Sequence, residues 1–299
     1  MKVASFNGKN LGYQKVSNST VSGHLTKIMS QYSVVVILEV VDKSGKAKDL
    51  LLQKLNKSTE HKYEMVFSHS LGRSTYKEQF VCFYRPDEVT LEDKYQYEDN
   101  QAGDEDAFAR EPFVLRFSCP NTVVKDLVLI PVHTKPEDST KELDELYDVV
   151  MAVREKWNTD NIMLLGDFNA DGRYLSQKKK KSIRISSEPF HWLIDDSVDT
   201  TASNKNDNTY DRIVVYGQAM LDAIVPDSAT PFNFQKEFGL TDEEALSISD
   251  HYPVEVELQA DSTPKKGPQK KPEEVKQTKG AKKDDGQLAE TKVPAKKKR

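Results

Sequence analysis

Along this chain the apolar residues fall in short bursts between polar and turn-forming stretches, a spacing that suits β-strands better than helices. Nine bursts predict strands: Lys2–Phe6, Val34–Glu39, Tyr63–Ser68, Phe80–Tyr84, Phe113–Phe117, Asp126–Val132, Ile162–Leu165, Asp211–Val215 and Pro253–Leu258. One stretch, Thr140–Trp157, has helical periodicity, with Leu143, Leu146, Val150, Val153 and Trp157 on one face. Thr20–Gln31 and Lys46–Leu55 carry weaker versions of that pattern. Many strands with few helices between them predict two packed β-sheets with helices outside. The centre of the chain is Ile162-Met163-Leu164-Leu165, a buried strand that stops at Gly166 and is followed by Asp167 and Asn169. Residues two apart in an extended segment point the same way, so both side chains can reach one site. Gly, Asp and Asn also gather in turns for purely local reasons, so other residues must support a functional reading.

Composition adds a boundary. Beyond about Ala260 apolar residues almost vanish and Lys, Pro, Gly, Gln and Glu take over, too little hydrophobic surface to fold. The expectation is a folded domain over residues 1–260 and a disordered basic tail over 261–299. The tail holds thirteen Lys/Arg against six Asp/Glu, so the chain's overall charge of −5 divides into +7 on the tail and −12 on the body. Pro264-Lys265-Lys266, Lys270-Lys271-Pro272 and Ala295-Lys296-Lys297-Lys298-Arg299 resemble nuclear-localisation or polyanion-binding segments. Lys178–Lys181 is a second basic cluster, inside the body. No apolar run approaches the ~18 residues of a membrane span. Met1–Phe6 leads directly into a strand, and Cys82 and Cys119 lie in apolar runs with no disulfide framework around them. These features predict an intracellular protein, nuclear or cytoplasmic, with a mature secreted chain as the alternative.

Polar residues recur where strands begin or end: Asn7, Glu39, His133, Asp211, and Asp250-His251 before the last strand. Singly each reads as a solvated or edge residue. Together with Asp167 and Asn169 they are the set that metal-assisted phosphodiester hydrolysis requires. Mg²⁺ takes oxygen ligands and only one or two protein carboxylates, a role that suits Glu39 with Asn7 and Asp250 as neighbours. A phosphodiester needs a water deprotonated and a leaving oxygen protonated, and histidine suits both tasks near neutrality. Each histidine then needs a carboxylate to fix its tautomer, and Glu78 and Asp211 are the candidates. The chain has no nucleophile elbow, P-loop or Cys/His zinc spacing, which leaves covalent, nucleotide-driven and zinc mechanisms without support.

These residues, in order, resemble the deoxyribonuclease I family. The likeness rests on Phe6-Asn7, Glu39, Leu71-Gly72-Arg73-Ser74-Thr75-Tyr76-Lys77-Glu78, His133, Gly166-Asp167-Phe168-Asn169-Ala170-Asp171, Tyr210-Asp211-Arg212-Ile213-Val214-Val215 and Ser249-Asp250-His251-Tyr252-Pro253-Val254. It runs from about Lys2 to Leu258 and leaves out the tail, although gamma-type relatives also end in a basic extension. The resemblance implies a four-layer α/β sandwich of two mainly antiparallel sheets flanked by helices. It also implies a monomeric divalent-metal-dependent endonuclease acting on double-stranded DNA with little sequence preference and leaving 5′-phosphates. By the same carry-over His133 and His251 are the acid/base pair, held by Glu78 and Asp211, with Asp167 and Asn169 at the scissile phosphate. Glu39, with Asn7, Asp250 and Asp167 near it, would take Mg²⁺ or Mn²⁺. A structural Ca²⁺ site is matched by Asp99, Asp106, Phe108 and Glu111, and a second by Asp199 and Thr201. Arg73, Tyr76, Arg110, Asn169 and Tyr210 match DNA-contacting positions.

The family's Gln before the metal glutamate is Leu38 here, and the groove-entering arginine two residues after it is Val41, which removes groove contacts but not the chemistry. Gly172 and Asn208 stand in the two arms that relatives usually join by a disulfide worth ~2–4 kcal/mol. The Thr-rich loop of the second Ca²⁺ site has become Ser203-Asn204-Lys205. Actin binding, a family property, finds no support in these residues, and no membrane partner is expected. Two rival readings remain: the same fold acting on a lipid or inositol phosphate, and a non-enzymatic binder. The unbroken Tyr76-Lys77-Glu78 and the intact His133, His251, Glu39 and Asp167 weigh against both.

Overall fold

The computed structural model describes residues 1–100, 102–103 and 106–262, and the chain divides into the units Met1–Ser262 and Thr263–Arg299. The basic tail segments lie outside the described residues. In chain order the elements are β1 (Lys2–Leu11), α1 (Tyr13–Ser17), α2 (Ser19–Met29), β2 (Val34–Val40), α3 (Lys46–Ser58), β3 (Glu64–Phe67) and β4 (Gln79–Tyr84). Next come β5 (Thr90–Gln96), β6 (Phe113–Ser118), β7 (Asp126–His133), α4 (Ser139–Trp157), β8 (Ile162–Asp167), α5 (Gln177–Ser182) and β9 (Phe190–Trp192). They are followed by β10 (Asp211–Tyr216), α6 (Gln218–Asp222), β11 (Thr230–Pro231), α7 (Phe234–Glu237), α8 (Asp242–Ile248) and β12 (Val254–Glu257).

Every strand and helix expected from the hydrophobic pattern is present, and β1 runs on past Phe6 to Leu11. Three strands had no readable signal. β5 is a polar, largely exposed edge strand, while β9 and β11 are only three and two residues long. The five additional helices are likewise short.

The strands form two six-stranded sheets, ordered β11-β12-β1-β2-β4-β3 and β5-β6-β7-β8-β10-β9. Each sheet contains one parallel pair, β1/β2 and β7/β8, and the remaining pairs are antiparallel. A parallel pair needs a crossover, supplied by α1 and α2 in one sheet and by α4 in the other. Strand periodicity then builds three apolar layers. Val34, Val36 and Leu38 of β2 face Met163 and Leu165 of β8 between the sheets. Val35 and Ile37 face outward onto Leu25, Ile28, Leu51 and Leu55 of α2 and α3. Ile162 and Leu164 face outward onto Leu143, Leu146, Val150 and Val153 of α4. The result is helix, sheet, sheet, helix.

Two sequence departures take on meaning here. Leu38 has no exposed surface and sits in the layer between the sheets, so in this chain it serves packing. Cys82 and Cys119 are both buried in that same layer as free thiols, matching their reading as packing residues.

The register of β7 against β8 sets His133 opposite Asp167 and Val132 opposite Gly166. Gly166 has φ +146°, and a Cβ built on it would lie 1.9 Å from the Val132 carbonyl oxygen. No side chain fits there, so glycine alone lets β8 pair closely enough to bring Asp167 beside His133. Gly166→Ala should cost on the order of 3 kcal/mol or more, or prevent folding, because backbone must move. Urea unfolding of the purified variant checks this, and a loss below ~1 kcal/mol would contradict it.

Candidate active site

The strand ends converge at one edge of the sandwich. His133 closes β7, Asp167 closes β8, and Asp211 opens β10 directly opposite Asp167. Asn7 of β1 and Glu39 of β2 arrive from the other sheet, and His251 precedes β12. The buried Asn7 amide joins the two groups. Its Nδ2 donates to Glu39 Oε1 at 3.2 Å and to Asp167 Oδ2 at 3.1 Å, while its Oδ1 accepts from the Lys9 backbone at 2.9 Å. The amide hydrogens, not the oxygen, therefore face the carboxylates. Asn7 is thus the neighbour of both Glu39 and Asp167 and orders the two carboxylates.

Glu39 adopts a left-handed backbone with φ 56°, and Lys9 and Asn10 do the same at 42° and 50°. Such conformations cost ~1–3 kcal/mol and persist only where surroundings hold them. Here the Asn10 N–H donates to Glu39 Oε2 at 2.9 Å, and Lys15 Nζ donates to the Gly8 and Lys9 carbonyls at 2.8 and 2.9 Å. The bulge in β1 is thus locked against the glutamate that ends β2.

Two carboxylate–histidine pairs flank Asp167. His133 Nδ1 lies 2.6 Å from Glu78 Oε1, and His251 Nδ1 lies 2.7 Å from Asp211 Oδ2. The opposite ring nitrogens both turn to Asp167 Oδ2, at 3.6 Å for His133 and 3.7 Å for His251. His133 Nε2 is also 3.7 Å from Glu39 Oε1, and His251 Nε2 is 3.8 Å from Asp250 Oδ1. Burial alone would lower both histidines, but Glu78 pushes His133 up, and Asp211 and then Asp167 push His251 up. Burial would likewise raise Glu78, yet His133 and Arg110 hold it below the ordinary carboxylate range. Asp211 stays above that range because burial and the nearby Asp167 outweigh His251 and the Thr200 hydroxyl. The ligand atoms of Glu39, Glu78 and His133, and those of Asp167, Asp211 and His251, lie close enough in each set to hold a metal ion.

The remaining sequence candidates are placed less uniformly. Tyr76 is half exposed, with its hydroxyl donating to Glu78 Oε2 at 3.1 Å. Tyr210 stacks obliquely at 6.5 Å from the His251 ring. Asn169, also left-handed at φ 46°, donates through Nδ2 to the Thr134 carbonyl at 3.0 Å. Arg110 is turned inward, 2.8 Å from Glu78 Oε1 and donating to the His133 and Thr134 carbonyls, so it braces the histidine pair from behind. Arg73 is exposed and pairs with Asp106 at 3.1 Å and Asp138 at 3.3 Å. Asp99 Oδ2 accepts from the Ala107 and Phe108 N–H groups, while its Oδ1 is buried without a partner. The Glu111 carbonyl accepts from Gln96 at 2.7 Å. Asp250 pairs with Lys9 at 3.2 Å. Asp199 Oδ1 is filled by the Thr201 N–H, the Thr201 hydroxyl and the Asn208 N–H, so that loop closes on itself.

Two residues that matter here lacked an assigned role in the sequence. Arg212 is fully buried and donates to the carbonyls of Thr209, Ala170 and Ile194 and to Asp196. With Asp171 Oδ2 accepting from the Thr209 N–H at 2.8 Å, it fastens the two arms that relatives join covalently. A Cβ on Gly172 would lie 3.8 Å from Asn208 Oδ1, so those arms do meet. Glu142 on α4 is buried and accepts from the Ala109 and Lys135 N–H groups, tying the Arg110 loop to the loop after His133. The Tyr-Asp-Arg motif contains Arg212, but a buried cation is not visible in spacing. Glu142 lies on the apolar stripe of its helix, and a carboxylate there was the available signal.

Fold and site together define a layered phosphoesterase scaffold with carboxylate ligands and two carboxylate-backed histidines. Residues 4–251 match the Endonuclease/Exonuclease/phosphatase family. The chain is 46% identical to Deoxyribonuclease-1 of Oryctolagus cuniculus over 260 residues, covering 86% of this chain and 92% of that one. It is 41% identical to Deoxyribonuclease gamma of Homo sapiens over 263 residues, covering 87% of this chain and 86% of that one. Among solved structures, the human Nocturnin catalytic domain superposes with a TM-score of 0.59 at 14% identity, covering 87% of this chain and 94% of that one. D. rerio TDP2 complexed with single strand DNA product superposes at 0.56 and 13% identity, covering 86% and 97%. The chain belongs to the endonuclease/exonuclease/phosphatase family and, within it, to the deoxyribonucleases of the I and gamma types.

Replacing Asp211 by Asn removes the strongest influence raising His251. Its pKa should fall, and an NMR titration of the ring nitrogens reads the shift; an unmoved His251 would contradict the pairing. Glu142 offers a separate pH test, since burial pushes it up to about 7 from 4.5. A carboxyl raised in the folded state stabilises fully below its unfolded pKa and loses that contribution as pH rises through the folded one. Relative to Glu142→Gln, the native chain should lose roughly 3 kcal/mol between pH 4.5 and 7 in urea unfolding.

Proposed function

We propose that this protein is a divalent-metal-dependent endonuclease that hydrolyses phosphodiesters of double-stranded DNA with little sequence preference, leaving 5′-phosphate ends. The observation that carries the reading is Asp167 Oδ2 set between two histidine Nε2 atoms, each ring backed by its own carboxylate. The His133 Nδ1–H donates to Glu78, which leaves Nε2 free to take a proton from the attacking water. His251, held protonated by Asp211, gives its Nε2 proton to the departing O3′. Water oxygen joins phosphorus, the P–O3′ bond breaks, and one proton moves at each end. Asn169 lies beside Asp167 and is positioned to orient the phosphate.

Glu39 and Asp167 each belong to a cluster able to hold a metal ion and share the Asn7 amide, and with Asp250 beside His251 they would supply the hard oxygen donors that suit Mg²⁺ or Mn²⁺. Such an ion would neutralise charge on the phosphate as it becomes pentacoordinate. The orphaned Asp99 Oδ1 supports Ca²⁺ between Asp99, Asp106, the Phe108 carbonyl and Glu111. The self-satisfied Asp199–Thr201 loop gives the second Ca²⁺ position no such support. Tyr76 and Tyr210 present ring faces to the duplex and Arg73 a cation, contacts that follow groove shape and backbone rather than base identity. Two buried thiols and an uncrosslinked loop suit a reducing compartment, which a fluorescent fusion would locate.

The test is nicking of supercoiled plasmid with Mg²⁺ and Ca²⁺. Cleavage should vanish with chelator, and the ends should be directly ligatable, as 5′-phosphate and 3′-hydroxyl require. His133→Ala and His251→Ala should each lower the rate by at least 10²–10⁴-fold. Plasmid left intact by the native chain at every salt concentration would overturn the reading.

A further inference from the structure

Three lysines of α5 have no counter-charge among the described residues. Ser176 caps the helix through its side chain, and Lys180 folds inward, with Nζ 2.6 Å from Asp196 Oδ1 and 4.4 Å over the centre of the Trp192 ring. Lys178, Lys179 and Lys181 remain exposed, and none forms an ion pair among the described residues. Consecutive cations repel one another, and a body of net −12 offers acidic groups to relieve that repulsion. Elsewhere it does so: Arg184, a few residues on, is held by Asp144 and Asp148. The three lysines are left uncompensated.

The helix is also mounted on the active site. Asp196 accepts from Gln177 and Lys180 of α5 and from Arg212, whose other nitrogen donates to the Ala170 carbonyl at 2.9 Å. Ala170 follows Asn169 directly. A chain of buried or half-buried bonds therefore runs from the residue beside the candidate phosphate position, through Arg212 and Asp196, to the helix. Free surface lysines usually sit on mobile side chains over a loop. These sit on a helix whose position is set by the same cation that sets the active-site loop.

We propose that Lys178, Lys179 and Lys181 form a second contact for the DNA backbone, outside the catalytic cleft and rigidly coupled to it through Arg212 and Asp196. This rests on the DNA-cleaving reading above. The charge pattern favours a duplex as the partner. A rigid polyanion with a charge every ~1.7 Å of axis, engaged at the cleft, extends past the rim, where an acidic body would repel it. Three lysines without an ion pair among the described residues, on a helix tied to the loop that carries Asn169, would counter that repulsion. Each phosphate they neutralise releases counterions and adds ~0.9 to the slope of log affinity against log salt. Three contacts would add a further loss of about 40-fold in affinity on going from 50 to 200 mM salt.

The experiment uses the full chain carrying K178Q, K179Q and K181Q together, with the Arg triple variant K178R/K179R/K181R as the charge-preserving control. Binding of a labelled 30-base-pair duplex is read by fluorescence anisotropy in a His133→Ala background with Mg²⁺, so that no hydrolysis is needed for the readout. The Gln variant should show a salt slope lower by about 2–3, while the Arg variant keeps the native slope. With His133 restored, the Gln variant should keep its kcat at saturating plasmid and lose kcat/KM. An unchanged slope overturns the proposal. If the slope is unchanged and a fluorescent fusion loses nuclear enrichment, the lysines address a transport protein instead. Native chain that binds duplex with the expected slope but never nicks plasmid would retire the nuclease reading and leave this surface standing.

Discussion

One side-chain amide holds the two halves of the site together. Glu39 and Asp167 come from different sheets, and as neighbouring carboxylates, one half-buried and one buried, they would repel each other. The Asn7 amide sits between them and gives one hydrogen to each. The same residue accepts from Lys9 through its side-chain oxygen and from the Ser249 hydroxyl through its backbone carbonyl. Ser249 in turn accepts from the His251 N–H at 3.1 Å. A single asparagine thus links β1, β2, β8 and the approach to β12. Aspartate would have nearly the same shape but would add a third negative charge; leucine would take away the amide donor shared by Glu39 Oε1 and Asp167 Oδ2.

The electrostatics around that amide follow from compensation by position. Glu78 has His133, Arg110 and the Tyr76 hydroxyl, and it stays ionised despite burial. Asp211 has His251 and the Thr200 hydroxyl, but also Asp167 near by, and its carboxyl is held less firmly in the charged form. The two histidines are therefore not equivalent, although each has a carboxylate at hydrogen-bond distance. The acid and base roles proposed for them call for such an asymmetry. Strain is concentrated on the same residues, since Glu39 and Asn169 both hold left-handed backbones.

Much of this was legible in the sequence, for identifiable reasons. The strands of the inner layers are continuous apolar runs such as Val34–Ile37 and Ile162–Leu165, and burial on both faces leaves no other composition open to them. The site residues were visible because they interrupt those runs at strand ends, where a buried polar group needs a purpose. Polarity hid the edge strand β5, and brevity hid β9 and β11. The inward turn of Arg110, the staple made by Arg212 and the brace made by Glu142 depend on which residues lie across a loop, and spacing along the chain carries no such information. The burial of Leu38 follows from the same geometry: adjacent residues in a strand point to opposite faces, so proximity to Glu39 in sequence meant opposition in space.

The pairing of β1 with β12 has a consequence for the order in which the protein can be made. Lys2 stands opposite Glu257, and the N-terminal amine donates to the Leu258 carbonyl at 3.0 Å. The site draws on residues from Asn7 to His251, so local contacts cannot build it in part, and assembly by long-range pairing is slow. During synthesis the first strand must wait, with one edge unfilled, until the last has left the ribosome. A nascent chain in that state has most of its sandwich but lacks His251 and the segment that anchors Asn7 from behind. Topology alone therefore withholds the assembled site until the last strand is in place.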